Sequence, residues 1–143
     1  MRVQFYHNTE DPLALACELI ARAQASGRRI ALRLPDATSV RRADQLLWTF
    51  DPGSFVPHVP AASPLAAETP VVLAEAGHTG WPHDDLLFNL ASDVPPDFER
   101  FRMLVEIIGR SEAERGPARA RWMHYKQNGH ALQAFDSERR EPM

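Results

Sequence analysis

Val3-Gln4-Phe5-Tyr6-His7-Asn8-Thr9-Glu10-Asp11-Pro12 opens the stretch whose reading decides the fold, and that stretch runs on to Leu34. Val3 to Tyr6 is short and β-prone. The polar run from His7 to Pro12 supplies a turn and helix-start residues. Leu13, Ala16, Cys17, Ile20, Ala23 and Gln24 then recur at helical spacing, and Ser26-Gly27 closes that helix. From Arg28 to Leu34 the pattern changes to alternation at Ile30, Leu32 and Leu34. Strand, helix and strand in so short a span come close to the minimum βαβ unit. The spacing therefore predicts an α/β domain, a mostly parallel sheet flanked by helices.

Beyond this unit, Pro35 ends the strand and Asp36 caps a second helix through Val40, Ala43, Leu46, Leu47 and Trp48. Prolines at 52, 57, 60, 64 and 70 make residues 51–70 a loop, with at most a short extended piece at Phe55-Val56. Val71-Val72-Leu73-Ala74 and Leu86-Leu87-Phe88-Asn89-Leu90 read as buried strands. Asp97 to Phe101, after Pro95-Pro96, reads as one helical turn. Met103 to Ile108 suits strand or helix; strand is taken because Gly109 ends the run early and a C-terminal helix must follow. In that helix Ser111-Glu112-Ala113-Glu114 fits a capping box, while Gly116-Pro117 predicts a kink or restart. Asp136 to Met143 is charged and apolar-poor. The expected organisation is one domain over residues 1–135 and a flexible tail over 136–143.

A chain of 143 residues suits a single core. Its 16 basic and 19 acidic residues give a net charge of −3, which argues against a surface built mainly for nucleic-acid phosphates. Cys17 is the single cysteine and lies in a helical apolar pattern, so it reads as buried and inert. Internal disulfides and Cys-based zinc sites are excluded. No run approaches the roughly 18 apolar residues of a membrane span, and no signal-peptide pattern opens the chain, so a cytoplasmic location and no membrane partner are expected. Neither the dinucleotide fingerprint nor the Walker lysine loop occurs, and no cofactor is expected. His78 and His83 near Asp84 and Asp85 have a spacing that solvated loop residues share. His124 and His130 lack the Glu-containing pattern of a metalloprotease, and Ser54 lacks the Gly-x-Ser-x-Gly elbow. No metal site and no catalytic set are expected.

Arg115 to Gly129 carries the densest chemistry. At about 100° per residue on a helix, Arg115, Arg119, Trp122 and Lys126 share one stripe, with Ala118 and Tyr125 on the neighbouring, buried side. Trp122 then sits on the seam between the core and a basic surface. Two guanidinium groups beside an indole suit a short acidic peptide that carries an aromatic residue or a terminal carboxylate. Basic residues late in a helix also complement its dipole, and spacing alone favours a merely solvated face.

Leu47-Trp48-Thr49-Phe50-Asp51-Pro52-Gly53-Ser54-Phe55-Val56-Pro57-His58 resembles the chi subunit of the bacterial DNA polymerase III holoenzyme. The likeness extends to Phe5 and Tyr6, to Ser26-Gly27-Arg28-Arg29, and to Arg119-Ala120-Arg121-Trp122 with Tyr125, Lys126 and Gly129. The resemblance implies a single Rossmann-like domain without nucleotide binding, and an adaptor of the replication machinery rather than an enzyme. It implies binding to the acidic C-terminal tail of single-stranded DNA-binding protein and, on a separate surface, to the psi subunit of the clamp loader. DNA is then reached only indirectly. The tail site carries over onto Arg115, Arg119 and Trp122, with Lys126 on the same stripe; Met123 departs from the family, where a lysine is familiar. The psi site carries over onto Phe55, with Trp48, Val56, Pro57 and His58 around it. Phe55, in a Pro-rich loop, is expected to be exposed, whereas the helical spacing of Trp48 with Ala43 and Leu47 places it in the core. The alternative is a small-molecule or nucleotide-dependent α/β enzyme using the crevice at the strand carboxyl ends, near His7, Asn8 and Asp36. Direct binding of single-stranded DNA by the basic helix is a third reading, disfavoured by the net charge. The free protein is expected to be a monomer.

Overall fold

The opening stretch forms β1 (Arg2–Thr9), α1 (Pro12–Ala25) and β2 (Ile30–Leu34) in the computed structural model. That model describes every residue except Pro52, Ser54, Arg139, Arg140 and Met143, and describes Glu141 and Pro142 in backbone only. The Asp11 side chain accepts the Ala14 N–H at 3.1 Å to start α1, where Pro12 needs no donor of its own. Gly27, at φ 84°, takes the left-handed turn that ends it. After β2 come α2 (Ala37–Thr49), β3 (His58–Pro60), β4 (Val71–Glu75), β5 (Leu86–Asn89), β6 (Met103–Gly109), α3 (Glu112–Gln127), β7 (Ala131–Asp136) and β8 (Glu141–Pro142). Asp36 caps α2 through the Ser39 N–H at 2.8 Å, as its position after Pro35 predicts.

Among the described residues there is one sheet, in the order β3-β4-β2-β5-β6-β1-β7-β8. Every pairing from β3 to β7 is parallel, and β8 pairs antiparallel to β7. The expected α/β architecture is present, with one refinement. β1 and β2 are parallel but not neighbours, because β6 and β5 stand between them. Three strand spacings are about 14 Å. α1, 14 residues long, makes this connection and packs over β2 and β6.

Two apolar layers enclose the sheet. On one face Ile30, Leu32, Leu34, Val71, Leu73, Leu86, Phe88, Val105 and Ile107 pack against Leu15, Ala16, Cys17 and Ile20 of α1 and Ala43 and Leu47 of α2. On the other, Val3, Phe5, Ala31, Val72, Leu87, Leu104 and Ile108 meet Ala118 and Tyr125 of α3 and the loop residues Trp81, Phe98 and Phe101. Cys17 is fully buried, and burial pushes its thiol up to about 12, so it is an inert core residue.

Three local expectations are corrected. The strand in the Pro-rich section is His58–Pro60, beginning two residues after the extended piece expected at Phe55-Val56; Pro60 is tolerated there because β3 is an edge strand. α3 passes through Gly116-Pro117 without restarting, although Pro117 has no N–H to give the Ala113 carbonyl. Trp48 is 51% exposed rather than core. Its neighbour Leu47 takes the inward position on α2. Ala131–Asp136, for which the sequence suggested no element, forms β7. Of the segment expected as a tail, residues 139, 140 and 143 lie outside the described residues, while Glu141 and Pro142 pair with Asp136 and Phe135.

Candidate functional site

α3 lies across the sheet with one flank over the carboxyl ends of β6, β1 and β7, and a groove of about 430 Å³ runs along that flank. Its walls on α3 are Arg115, Ala118, Arg119, Trp122 and Met123, and its floor is Phe5 and His7 of β1, Ile108 of β6 and Ala134 of β7. The volume falls in the range of about 300–1,000 Å³ typical of small-ligand sites. Ala118 and Ala134 create the space, since larger side chains there would fill it. Trp122 is half-buried and meets Phe5 edge-on at 5.1 Å between ring centroids. Its indole is fixed by the core and still borders the groove, on the seam that helical spacing predicted.

Arg115 and Arg119 stand exposed on the rim, and among the described residues no acidic side chain lines the groove. Arg119 is held by Glu112 two helical turns earlier, an ion pair with side chains 63% and 67% exposed. Lys126 is exposed on α3 but does not line the groove. The arrangement is suited to gripping a carboxylate between guanidinium groups while an apolar side chain enters beside the indole.

Under α3, toward β5 and β2 rather than the groove, is a buried polar network that the sequence reading missed. Arg33 of β2, Asn89 of β5 and Glu106 of β6 occupy one row across the sheet. Glu106, fully buried, accepts Arg121 Nε at 3.0 Å and Nη2 at 3.1 Å, the Tyr125 hydroxyl at 2.6 Å and Asn89 Nδ2 at 3.0 Å. Arg33 reaches Asn89 Oδ1 at 3.0 Å and Asp93 Oδ2 at 2.9 Å. Burial pushes the Glu106 carboxyl up, and Arg121, Tyr125 and Asn89 pull it back. A guanidinium stays charged, so a neutral Glu106 would leave Arg121 buried and unpaired; the pair is ionic. The signal for this network was a charged residue breaking each apolar strand, Arg33 in Ile-Ala-Leu-Arg-Leu and Glu106 in Leu-Val-Glu-Ile-Ile.

The residues expected around Phe55 divide by depth. Phe55 is 66% exposed and Trp48 51%, with ring centroids 5.5 Å apart. Val56 and His58 are buried beneath them, and Pro57 is half-buried. The His58 ring lies 4.6 Å from the Trp48 ring, with Nδ1 2.6 Å from the Val56 carbonyl and Nε2 3.1 Å from that of Asp44. His58 thus supports an aromatic pair presented at the β3 end of the sheet. From β3 to β7 is six strand spacings, about 29 Å, so this patch and the α3 groove face different surroundings.

The crevice at the carboxyl end of β1 has about 500 Å³, with Asn8, Thr9, Glu10, Asp11, Glu18, Arg110 and Glu138 in its lining. Four carboxylates against one guanidinium make it hostile to a nucleotide phosphate. His7 lines the α3 groove instead, and Asp36 is occupied as a helix cap. His83 Nε2 lies 2.6 Å from the Thr69 carbonyl and Asp85 is engaged by Arg28. Among the described residues no three His, Cys, Asp or Glu side chains are placed to hold a metal. Ser54 lies outside the described residues.

A family model described as "DNA polymerase III chi subunit, HolC" matches residues 1–133. Among curated proteins, the chain is similar to DNA polymerase III subunit chi of Pseudomonas aeruginosa, 33% identical over 136 residues that cover 92% of this chain and 94% of that one. It is 27% identical to the protein of the same name from Haemophilus influenzae over 130 residues, covering 88% and 90%. The Escherichia coli protein of that name matches at 27% over 118 residues, covering 82% and 80%.

Proposed function

Because the chain belongs to the DNA polymerase III chi subunit family, an accessory subunit of the replication machinery, we propose that it is a non-catalytic adaptor with two protein-binding surfaces. The α3 groove takes the acidic C-terminal tail of single-stranded DNA-binding protein. The Trp48 and Phe55 patch takes the psi subunit and through it the clamp loader. The observation that carries this reading is the groove itself: Arg115 and Arg119 beside a largely apolar floor, with Trp122 next to them on α3. Such a site complements a peptide that combines carboxylates with an apolar terminal residue. An exposed Trp-Phe pair is the composition of an interface anchor, and its distance from the groove lets both partners bind at once.

Phe55→Ala and Arg119→Ala, each used to capture partners from a replication-competent extract, test the division. Phe55→Ala is expected to lose the clamp-loader-side partner and keep single-stranded DNA-binding protein, and Arg119→Ala to do the reverse. Loss of both partners from either variant, at unchanged melting temperature, would contradict two independent surfaces.

A further inference from the structure

The protein has 6 histidines, and all but one are engaged. His58 and His83 lie within hydrogen-bond distance of backbone carbonyls. His78 meets the Trp81 ring, and His124 and His130 meet that of Phe98. His7 has no hydrogen-bond, ion-pair or ring partner among the described residues. It is half-buried and lines the α3 groove, and its ring nitrogens, unlike Nε2 of His78 and of His130, are not shut away from solvent. An imidazole so placed is open to whatever enters the groove.

Position along the groove decides what His7 can meet. α3 leaves the carboxyl end of β6 and delivers the chain to the amino end of β7, and both strands are parallel to β1, so α3 runs antiparallel to β1. Trp122 meets Phe5. From Phe5 to His7 is about 7 Å toward the carboxyl end of β1, and from Trp122 back to Arg119 and Arg115 is about 4.5 and 10.5 Å in the same direction. The groove therefore turns from apolar to polar on two sides at once, from indole to guanidinium on the wall and from phenyl ring to imidazole on the floor. We propose that His7 is a third carboxylate-binding group of the groove, donating to an acidic peptide as the imidazolium. This rests on the tail-binding reading above and adds a residue to that site. The charged groups around His7 are Arg115 and Arg119 on α3 and, on β7, Asp136, which stands opposite it in register. Asp136 accepts from Asn8 Nδ2 at 3.3 Å and from the Glu138 N–H at 3.0 Å and does not line the groove. Arg110, just past β6, is turned to Asn8 Oδ1 at 3.1 Å. A carboxylate entering beside the imidazole favours the protonated ring, so binding takes up a proton and strengthens as pH falls from 8 to 6, a range in which ordinary carboxylates stay ionised.

The test is calorimetric titration of the full chain with a short synthetic acidic peptide ending in phenylalanine, at pH 6 and pH 8, each in two buffers of different ionisation heat so that proton uptake is read directly. Wild type is expected to bind at least about threefold tighter at pH 6, with net proton uptake. His7→Leu should lose both the pH dependence and the uptake, and His7→Lys, which keeps a cation at both pH values, should bind equally at the two. If the peptide binds in an Arg119-dependent way with the same affinity at both pH values, or if the pH dependence persists in His7→Leu, His7 is not a binding group and the groove reading stands. If the peptide binds at neither pH, both are wrong.

Discussion

Arg119 is the residue on which the groove's chemistry turns, and its ion pair with Glu112 makes that chemistry competitive. An incoming carboxylate must displace Glu112, and an exposed pair contributes only about 0.2–1 kcal/mol. Glu112→Gln should therefore tighten an acidic peptide by up to about fivefold, measured by calorimetric titration. Unchanged affinity would mean that Arg119 is not the gripping group. Asp85 shows what a committed pair looks like: Arg28 binds it through Nε at 2.8 Å and Nη2 at 2.5 Å, and the Arg29 N–H adds a third bond. The Arg28 hydrogen bonds hold the Asp85 carboxyl below its ordinary 3.8. A depressed carboxylate contributes stability above its unfolded value and loses it as pH falls through the folded one. Asp85→Asn should cost about 1 kcal/mol at neutral pH, the half-exposed Arg28 discounting the bidentate value, and the difference should shrink as pH falls through and below the ordinary carboxylate range, read from denaturant titrations. At this scale the sequence made Arg119, Trp122 and Phe55 legible, because basic and aromatic residues announce themselves. It did not reveal Phe5, Ile108 or Ala134 as groove floor, since apolar strand residues look alike until the strand order is known, and it assigned His7 to the crevice at the strand ends rather than to the groove.

α3 carries the groove, so whatever fixes α3 fixes the site. The bidentate Arg121–Glu106 pair and the Tyr125 hydroxyl tie the helix to β6 inside a buried layer. Removing one partner of such a pair leaves an uncompensated charge. Glu106→Ala should destabilise the protein by about 3–5 kcal/mol, and Tyr125→Phe, which removes one hydrogen bond to a charged group, by about 1.5–3 kcal/mol, both read from denaturant midpoints. A cost below about 1 kcal/mol for Glu106→Ala would show that the network does not anchor the helix. Element existence was legible wherever period and punctuation agreed, as in β1, α1, β2 and α2. It failed where tertiary packing overrode local rules. The Arg121 and Tyr125 anchors just beyond Pro117 and the burial of Ala118 keep α3 helical across a residue that would break an isolated helix, and β7 gains its strand conformation from β1 rather than from its own Ala-Leu-Gln-Ala pattern.

In the proposed reading the sheet holds two binding patches apart, since β3 and β7 stand about 29 Å from each other. The α/β class was readable from a short opening segment because βαβ alternation is dictated by chain connectivity. The placement of Trp48 outside the core was not, because helical period identifies a face but not what covers it. Net charge −3 on the molecule beside a cationic groove also means that attraction for an acidic partner is local and sensitive to salt. The most direct measurement is the titration of a labelled acidic peptide ending in phenylalanine into wild type, Arg119→Ala and Arg119→Lys at low and high ionic strength. The groove predicts at least about a tenfold loss for Arg119→Ala, a smaller but clear loss for Arg119→Lys because a point charge cannot reproduce the planar fork, and weaker wild-type binding as salt rises. Wild-type affinity that is indifferent to both substitutions and to salt would contradict it.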